Sequence, residues 1–450
     1  MSNQHIISPL DNRYNNKVQE LAANFSETHL NKVRYHIEVD WLIFLCENGG
    51  KSFPKLSKSN FAKLQNIRSS FNTTSAKRIK SIEQQTNHDV KAVEYFIREK
   101  LAEIPSLKKY EQLVHFALTS EDINSLSYAI LLRDAISIYL KKIKDLTKAL
   151  NSKSKKWSGV AMLSRTHGQA ASPTTIGKEI KVFCARLERQ IAQLTKQIPM
   201  AKFGGATGNF HTLHLVDSKV DWVKKTNTFL KTFKIQQNSI TTQIEPHDGI
   251  AEIAQCVQRI NNVIIDFDQD MWLYISNDVF KLELKDGEVG SSTMPHKVNP
   301  IDFENSEGNL GLSNSLMSFF ADKLTKSRLQ RDLSDSTVLR NLGVAFGYSY
   351  LGITSALNGF AKVSPNKDQC LNELNNNWQI LAEAIQTVMK IEGIDNAYEI
   401  IKEQTRGVNL DQVLYLDLVS NLQISNEAKL ILTNLTPSKY VGIAEKLAKS

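Results

Sequence analysis

Residues 176–199 have the sequence IGKEIKVFCARLERQIAQLTKQIP, and this stretch decides the fold class. Its apolar residues recur in steps of four and three, at Ile176, Ile180, Phe183, Leu187, Ile191, Leu194 and Ile198. This spacing places one apolar stripe along a helix, and Pro199 ends the run. A long helix of this kind must bury its stripe against other helices, so the stretch predicts one member of a helical bundle.

The same three-and-four spacing recurs in three other long segments. Their apolar residues run from Leu132 to Leu150, from Ile250 to Tyr274 and from Leu371 to Val388. The chain has only 10 prolines and 20 glycines to interrupt them. No segment shows sustained alternation of apolar and polar residues between turn signals, which is the pattern of a half-buried strand. We therefore expect an all-α fold in which strands are minor at most.

Chain length and two breaks in the helical pattern indicate domain boundaries. A chain of 450 residues exceeds the ~250–300 residues over which a single core grows, so more than one domain is expected. Thr119 followed three residues later by Asp122 is typical of a helix start. Pro365 interrupts the pattern near the other end of the chain. We take the boundaries to lie after residues 120 and 364.

Composition argues against several classes of protein. Hydrophobic residues make up 41% of the chain, and no stretch approaches the ~18 apolar residues of a membrane span. The first residues, MSNQHIISPLDNRY, lack the basic and apolar regions of a secretory signal, so we expect a cytoplasmic protein that binds no membrane. The four cysteines form no CxxC pair, and neither a HExxH motif nor a P-loop is present. We expect no metal and no cofactor.

The net charge of +8 allows two readings. A basic protein can bind nucleic acid, but the lysines are spread in short clusters instead of one tract, and no nucleic-acid motif accompanies them. A positive balance also suits a small polyanionic substrate with phosphate and carboxylate groups. We favour the second reading and expect no nucleic-acid partner.

One polar segment stands out against the helical background. Residues 285–300 have the sequence KDGEVGSSTMPHKVNP, in which two glycines and two prolines forbid a continuous helix. Hydroxyl, imidazole, ammonium and amide groups follow one another between Ser291 and Asn299. The segment is either a solvated connection or a loop that closes over an anionic substrate.

A second segment brings a histidine next to a glycine. Residues 164–178 have the sequence SRTHGQAASPTTIGK and precede the helix predicted from Ile176. His167 at a helix entrance is accessible and titrates near neutrality, as general acid–base catalysis requires, although a lone histidine is often structural. Further on, Arg331 and Arg340 flank Ser336, which suits a phosphate or carboxylate ligand or, equally, a surface salt-bridge network.

Residues 290–300, GSSTMPHKVNP, resemble the GSSxMPxKxNP signature of the fumarase/aspartase superfamily. Within it the chain is similar to the adenylosuccinate lyase family of the longer bacterial type. The stretches that carry this resemblance are 86–95, 119–124, 164–169, 241–248 and 301–309, and the likeness runs from Ser8 to Tyr440. Two departures are Ala170, where the family has proline, and Ser125, where asparagine is common.

The resemblance implies a fold, an assembly and a reaction. The fold has three helical domains, here 1–120, 121–364 and 365–450, and the long helices of the central domain form the core of a homotetramer. Each active site then takes residues from three chains. The reaction is the elimination of fumarate from adenylosuccinate to give AMP, and from the succinylated aminoimidazole carboxamide ribonucleotide to give AICAR, in purine biosynthesis.

This elimination requires a base that removes a proton from the carbon beside one carboxylate and an acid that protonates the departing nitrogen. The resemblance makes Ser291 the base and His167 the acid, with Glu304 orienting the imidazole of His167. Lys297 and Asn299 would stabilise negative charge, and His88 would assist proton delivery. The remaining substrate-binding candidates are Arg13, Tyr14, Asn87, Asp89, Thr119, Ser120, Gln243, Asn305, Arg331, Ser336 and Arg340.

Three alternatives remain open at this point. Another lyase of the superfamily would act on argininosuccinate, aspartate or malate, but the stretches around His88, Gln243 and Asn305 argue against it. An inactive relative would serve as a scaffold, but the presence of Ser291, His167, Lys297 and Glu304 argues against that. A nucleic-acid-binding protein would use the +8 charge.

Overall fold

The computed structural model of the chain describes residues 7–283, 294, 297–405 and 410–450. Helices dominate these ranges, and their strands occur only as three short two-stranded pairs. The predicted all-α class is therefore confirmed.

The helices fall into three groups along the chain. Five short to medium helices come first: α1 Asn15–Phe25, α2 Glu27–Asn48, α3 Lys58–Ser69, α4 Thr73–Thr86 and α5 Asp89–Ala102. The middle group contains the longest helices: α6 Ser120–Lys156, α7 Ile176–Leu194, α8 His211–Val216, α9 Trp222–Thr232, α10 Asp248–Ser276, α11 Ile301–Lys323, α12 Ser334–Leu339 and α13 Leu342–Ala361. The last group is α14 Lys367–Asn375, α15 Ala382–Ile391, α16 Ala397–Thr405, α17 Gln412–Asn421, α18 Asn426–Thr433 and α19 Ala444–Lys449. Single 3₁₀ segments lie at Pro9–Asp11, Lys108–Leu113 and Trp378–Leu381.

The three strand pairs connect helices. Strands β1 Ala161–Thr166 and β2 Gln169–Thr175 form an antiparallel hairpin in which Thr166 pairs with Gln169. Strands β3 Met200–Ala201 and β4 Gln236–Gln237 pair in parallel. Strand β5 Phe280–Leu282 pairs antiparallel with β6 Val363–Pro365, which contains the proline that interrupts the helical pattern.

Two predicted helix starts are observed. Helix α6 begins at Ser120, and Asp122 Oδ2 accepts a hydrogen bond from the Thr119 N–H at 2.8 Å. This bond satisfies one of the N–H groups that a helix start leaves without a partner. Helix α7 begins at Ile176 and carries the quoted apolar stripe as far as Leu194, beyond which Ile198 is exposed.

The spacing of the apolar run from Leu371 to Val388 predicted one long helix, and this prediction is wrong. It is divided among α14, the 3₁₀ segment Trp378–Leu381 and α15. The break falls at Asn375-Asn376-Asn377, where Asn376 caps the C-terminus of α14. Asparagine favours caps and turns over helix interiors, and three in succession outweigh the apolar spacing.

The chain divides into two compact units, each built from separated segments. The first unit comprises the residues up to Lys142 together with Gln190–Asn261 and Asn309–Gly352. The second unit comprises Ile143–Arg189, Asn262–Gly308 and Ile353–Ser450. The three-domain division at residues 120 and 364 stays a prediction.

Four long helices of the first unit meet at a buried polar cluster. Asn261 on α10 is fully buried, and its Nδ2 donates to Ser313 Oγ on α11 at 3.1 Å. Its Oδ1 accepts from Ser349 Oγ on α13 at 2.5 Å, while the Tyr139 hydroxyl on α6 lies 3.0 Å from the same serine oxygen. A buried hydrogen-bond network is satisfied in only one register of its helices. This cluster therefore fixes the position of each helix along its axis relative to the other three.

The first unit also has an apolar core formed by α2 to α5. Leu42, Leu64, Ile79 and Val93 are buried within it. Tyr35 is fully buried there, and its hydroxyl donates to the Ile67 carbonyl at 2.8 Å. The core packs α3, α4 and α5 against α2.

The second unit is held by aromatic contacts at two places. The ring of Trp157 lies 5.5 Å from Phe280 and 5.8 Å from Phe360. In the C-terminal helices, Trp378 lies 5.2 Å from Tyr415, whose hydroxyl donates to the Leu432 carbonyl. None of the helices in the described ranges is long and apolar enough to cross a membrane.

The Asn261 cluster generates a stability prediction. Asn261→Ala removes the shared partner of Ser313 and Ser349 and leaves buried polar groups unsatisfied, which costs ~1–3 kcal/mol for each such group. We expect a melting temperature several degrees lower by differential scanning calorimetry. Asn375→Ala, on the exposed end of α14, is the matched control and should change it little. An equal effect of both substitutions would contradict the role given to the cluster.

Candidate active site

The first unit places His88 at a tight turn between two helices. Asn87 ends α4 in the left-handed conformation, with φ of 50°, which asparagine tolerates better than most residues. His88 is then the N-cap of α5, and its Nδ1 accepts a hydrogen bond from the Lys91 N–H at 3.2 Å. An accepting Nδ1 carries no proton, so a neutral His88 has its N–H at Nε2. The side chain is 50% exposed and can meet a ligand.

Asp89, the first residue of α5, lies between two guanidinium groups. Arg34 Nη2 and Arg340 Nη2 each lie 2.9 Å from Asp89 Oδ2, and the Val90 N–H donates to Oδ1. Burial alone would raise the pKa of Asp89, but the charge of Arg34, the Val90 N–H and Arg340 together lower it to about 2. Asp89 is therefore a permanent anion at neutral pH, and Arg340, 47% exposed, is oriented by it.

Arg331 links two other candidate regions of the first unit. Its Nη1 donates to Glu121 Oε2 at 3.0 Å and to Gln243 Oε1 at 3.2 Å. Glu121 follows the candidates Thr119 and Ser120 at the start of α6, whereas Gln243 precedes α10. The structure thus brings the 119–124, 241–248 and 331–340 segments together at one place.

A buried group of charges lies beside this contact. His247 is 4% exposed, and its ring nitrogens lie 3.7 Å from Glu245 Oε2 and 3.5 Å from Asp335 Oδ2. Asp335 precedes Ser336, whose backbone N–H donates to Asp335 Oδ1 at 2.7 Å. Ser336 itself is half-buried in α12. The contact between His247 and Asp335 holds the short helix α12 against the segment that carries Gln243.

Arg13 and Tyr14 lie near the N-terminus of the described chain. Tyr14 is the N-cap residue of α1, and the Arg13 guanidinium carbon lies 5.8 Å from the centroid of the Tyr14 ring. Arg13 is exposed and Tyr14 half-buried. Among the described residues, Arg13 makes this stacking contact but no ion pair.

The second unit places His167 at the tip of the β1–β2 hairpin, and not simply at the entrance of α7 as the sequence suggested. His167 and Gly168 form the two-residue turn, with φ of 53° and 75°. Two positive φ values are what the favoured two-residue hairpin turns require. His167 is exposed, and its ring makes no hydrogen bond with any residue that the structure describes.

Glu304 and Asn305 are the fourth and fifth residues of α11, in the same unit. Glu304 is exposed, and its Oε1 accepts a hydrogen bond from Trp272 Nε1 at 3.2 Å. Asn305 Oδ1 accepts from Ser355 Oγ at 2.8 Å. Glu304 makes no hydrogen bond with His167 of the same chain within the described ranges, so the orienting role of Glu304 stays a prediction.

The signature segment is described only in part. Ser291, the expected base, lies outside the described residues. Lys297 is exposed, with its backbone N–H donating to the Met294 carbonyl at 2.9 Å, and Asn299 is half-buried. Their predicted roles therefore rest on the sequence.

Sequence reasoning missed four residues of these clusters: Arg34, Glu121, His247 and Asp335. Three of them belong to polar segments that the sequence singles out, at 119–124, 242–248 and 331–340. Arg34 carried no signal, because it lies outside every polar segment that the sequence singles out; the structure places it within α2, where it is 2% exposed. No group of three or more metal-ligating side chains occurs in the part of the chain that the structure describes.

Comparison with known proteins identifies two matching families. The family model described as Lyase matches residues 12–312, and that described as Adenylosuccinate lyase C-terminal matches residues 327–441. An adenylosuccinate lyase of Legionella pneumophila (strain Corby) is 48% identical over 446 residues, covering 99% of this chain and 98% of that protein. An adenylosuccinate lyase of Escherichia coli (strain K12) is 47% identical over 446 residues with the same coverage.

Solved structures agree in fold. A fumarate lyase from Mesorhizobium sp. BNC1 has a TM-score of 0.78 at 16% identity, with 96% of each chain covered. A 3-carboxy-cis,cis-muconate lactonizing enzyme from Pseudomonas putida has a TM-score of 0.75 at 19% identity, with 95% of each chain covered. At these identities the likeness concerns the fold alone.

The position of His88 allows its structural and chemical roles to be separated. His88→Ala loses the N-cap acceptor, which costs ~1 kcal/mol of stability, whereas His88→Asn supplies a preferred N-cap residue. We expect a lowered melting temperature only in His88→Ala, and lowered turnover in both variants. Normal turnover in His88→Asn would mean that His88 is a helix cap and nothing more.

Proposed function

We propose that this chain, which belongs to the adenylosuccinate lyase family, eliminates fumarate from adenylosuccinate to give AMP and from the succinylated aminoimidazole carboxamide ribonucleotide to give AICAR. The observation that carries the proposal is the match to adenylosuccinate lyases over 99% of the chain. Two arginines of the first unit, Arg331 and Arg340, support it because the substrate carries a phosphate and two carboxylates. A role in purine biosynthesis also supports a cytoplasmic location.

The reaction begins with removal of a proton from the carbon beside one carboxylate of the succinyl group. Ser291 takes this proton, and the electron pair enters the carboxylate to give a dianionic aci form. A serine hydroxyl is a weak base, so its alkoxide needs nearby positive charge. Lys297, six residues later, supplies that charge, and Asn299 donates a hydrogen bond to the developing dianion.

The bond between carbon and the nucleotide nitrogen then breaks, and His167 protonates the departing nitrogen. Its exposed position on a hairpin tip supports this role, because the imidazole is accessible to a substrate. Glu304 holds the imidazole in the required tautomer. Because the two side chains are not hydrogen-bonded within one chain, this pair forms between chains.

Arg340 and Arg331 bind the anionic groups of the nucleotide. Asp89 orients Arg340 through one hydrogen bond from Nη2, which leaves other N–H groups of the guanidinium for a ligand. His88 lies one residue before Asp89 on the same turn. Thr119, Ser120 and Gln243 contact the succinyl part. Asn87, Asn305, Ser336, Arg13 and Tyr14 complete the proposed contacts.

A homotetramer with shared active sites is part of the proposal. Helix α11 has a buried face with steps of three and four, at Phe303, Ser306, Leu310, Ser313, Met317 and Phe320. A second face of the same helix repeats at Ile301, Asn305, Gly308, Leu312, Ser315 and Phe319, and Leu312 and Phe319 are 53% and 51% exposed. A Cβ added at Gly308 or Gly311 would meet nothing within 4 Å. An exposed face with this period supports association of α11 with helices of other copies.

Activity is tested by adding adenylosuccinate to the purified protein and following ultraviolet absorbance and fumarate release. We expect cleavage of adenylosuccinate and of the succinylated imidazole nucleotide. Ser291→Ala should lower turnover by ~10²–10⁴-fold, since it removes the proton-transfer group, and Ser292→Ala is the matched control with near-normal turnover. Inactivity of the wild type on both nucleotides together with activity on argininosuccinate would contradict the proposal.

Shared sites are tested by mixing two inactive variants. Asparagine is preferred at the first position of a turn like that of His167 and Gly168, so His167→Asn should keep the hairpin and the melting temperature while abolishing turnover. After subunit exchange with Ser291→Ala, part of the activity should return, because some mixed sites contain neither defect. Absence of recovery in mixed tetramers identified by native mass spectrometry would mean that each site is built within one chain.

A further inference from the structure

Glu121 is a buried carboxylate of the first unit with one satisfied oxygen. It is 3% exposed, and Oε2 accepts a hydrogen bond from Arg331 Nη1 at 3.0 Å. Oε1 is buried and has no hydrogen-bond partner among the described residues. Burying a partly satisfied carboxylate is unfavourable, so a purely structural role does not account for this arrangement.

Glu38 provides a comparison within the same unit. It is fully buried, but both of its oxygens are bonded to His115: Oε2 to the backbone N–H at 3.1 Å and Oε1 to Nδ1 at 2.6 Å. This is what a structural buried carboxylate requires. Glu121 and Glu38 are therefore both buried carboxylic side chains, but both oxygens of Glu38 have a hydrogen-bond partner and only one oxygen of Glu121 does.

A series of contacts connects Asp122, the residue after Glu121, through the 204–206 loop and Gln243 to Arg331. Asp122 Oδ1 accepts from the backbone N–H groups of Gly204 and Gly205 and pairs with buried Lys202 at 2.6 Å. The loop continues to Ala206, whose carbonyl accepts from Gln243 Nε2 at 2.9 Å. Gln243 Oε1 in turn accepts from Arg331, which returns to Glu121.

The guanidinium of Arg331 is held on one side only. Glu121 and Gln243 both bond Nη1, and neither Nε nor Nη2 has a partner within the described ranges. Nε and Nη2 form the edge of a guanidinium that binds two oxygens of a phosphate or carboxylate side by side. The side chain is 19% exposed, so a ligand can reach it.

We propose that Glu121 is a positioning residue for substrate binding, which holds Arg331 by Nη1 beside Gln243 and so presents Nε and Nη2 to an anionic group of the nucleotide. The proposal rests on the function proposed above. It assigns Glu121 no contact with the reacting atoms.

Ionisation of Glu121 supports a distinctive pH dependence. Burial raises the pKa of Glu121 to about 6; the charge of Arg331 opposes this effect, Asp335 adds to it, and His247 and Lys202 also oppose it. The ionised form that holds Arg331 is present above that pKa and is lost as the pH falls through about 6. Substrate binding should then weaken in the wild type at low pH for a reason that Glu121→Gln removes.

The test compares KM and kcat for adenylosuccinate in wild type and Glu121→Gln between about pH 5.5 and 8. Glutamine keeps an acceptor for Arg331 but loses its charge, and a neutral hydrogen bond is roughly half as strong as a charge-assisted one. We expect KM of the variant to exceed that of the wild type about tenfold at pH 8 and about threefold at pH 5.5, with kcat little changed. The ratio cancels the titration of the substrate phosphate, which is the same in both measurements.

Two controls separate this effect from a change in stability. Glu38→Gln removes an equally buried charge outside the site and should lower the melting temperature without any pH-dependent change in KM. In an Arg331→Gln background, Glu121→Gln should raise KM no further, because its effect passes through Arg331. A further rise in KM in this background would overturn the positioning role even if the single variant fails to fold.

Affinity for AMP, measured by isothermal titration calorimetry over the same pH range, distinguishes the two proposals. A wild type that does not cleave adenylosuccinate refutes the proposed function, while the ratio of AMP affinities still decides the role of Glu121. The positioning role would be overturned if the ratio between wild type and Glu121→Gln stayed near one at every pH or did not change with pH. Additive effects of Glu121→Gln and Arg331→Gln would also overturn it.

Discussion

The constraint on which the rest of the first unit depends is the hydrogen-bonded register of its long helices at Asn261. Apolar stripes with steps of three and four let neighbouring helices slide by one turn at little cost, whereas a buried asparagine bonded to Ser313 and Ser349 accepts one alignment. Two of the candidate segments, 119–124 and 241–248, lie at the N-terminal ends of α6 and α10. Glu121 is eighteen residues before Tyr139 on α6, roughly 27 Å along the axis, so a slip of one turn would move it ~5 Å away from Arg331.

Charged residues of the first unit are arranged in pairs. Arg340 is paired with Asp89 and Arg331 with Glu121, so each of these two positive charges lies next to a carboxylate. Arg34 has a particular place in this arrangement. It is 2% exposed and bonds Asp89 Oδ2 at 2.9 Å, so Asp89 keeps one guanidinium partner when Arg340 turns toward a ligand. Such paired groups lower the cost of ordering side chains when the substrate binds.

Apolar spacing predicted most of the helical fold but few of the contacts within the site. The stripe from Ile176 and the capping pair Thr119 and Asp122 are local signals, and both helix starts follow them. The run from Leu371 failed because three consecutive asparagines broke it. The bonds of Arg331 to Glu121 and of Arg340 to Asp89 join residues 210 and 251 positions apart, and no spacing rule reaches that far. The hairpin around His167 was missed because its strands, of six and seven residues, lack alternation of apolar and polar side chains.

Three histidines of the described chain have a left-handed backbone conformation. His115, His167 and His247 have φ of 60°, 53° and 64°, a region that is uncommon for residues other than glycine but in which asparagine, aspartate and histidine are enriched. Asn87, with φ of 50°, is of a residue type that suits this conformation, and it forms the turn that places His88. At position 167 asparagine would suit the turn equally well, yet the chain has histidine there. The histidine is exposed, and its ring makes no hydrogen bond with any residue that the structure describes. The hairpin turn therefore needs no histidine for its own stability, and the proton transfer proposed for His167 gives a chemical reason for that residue.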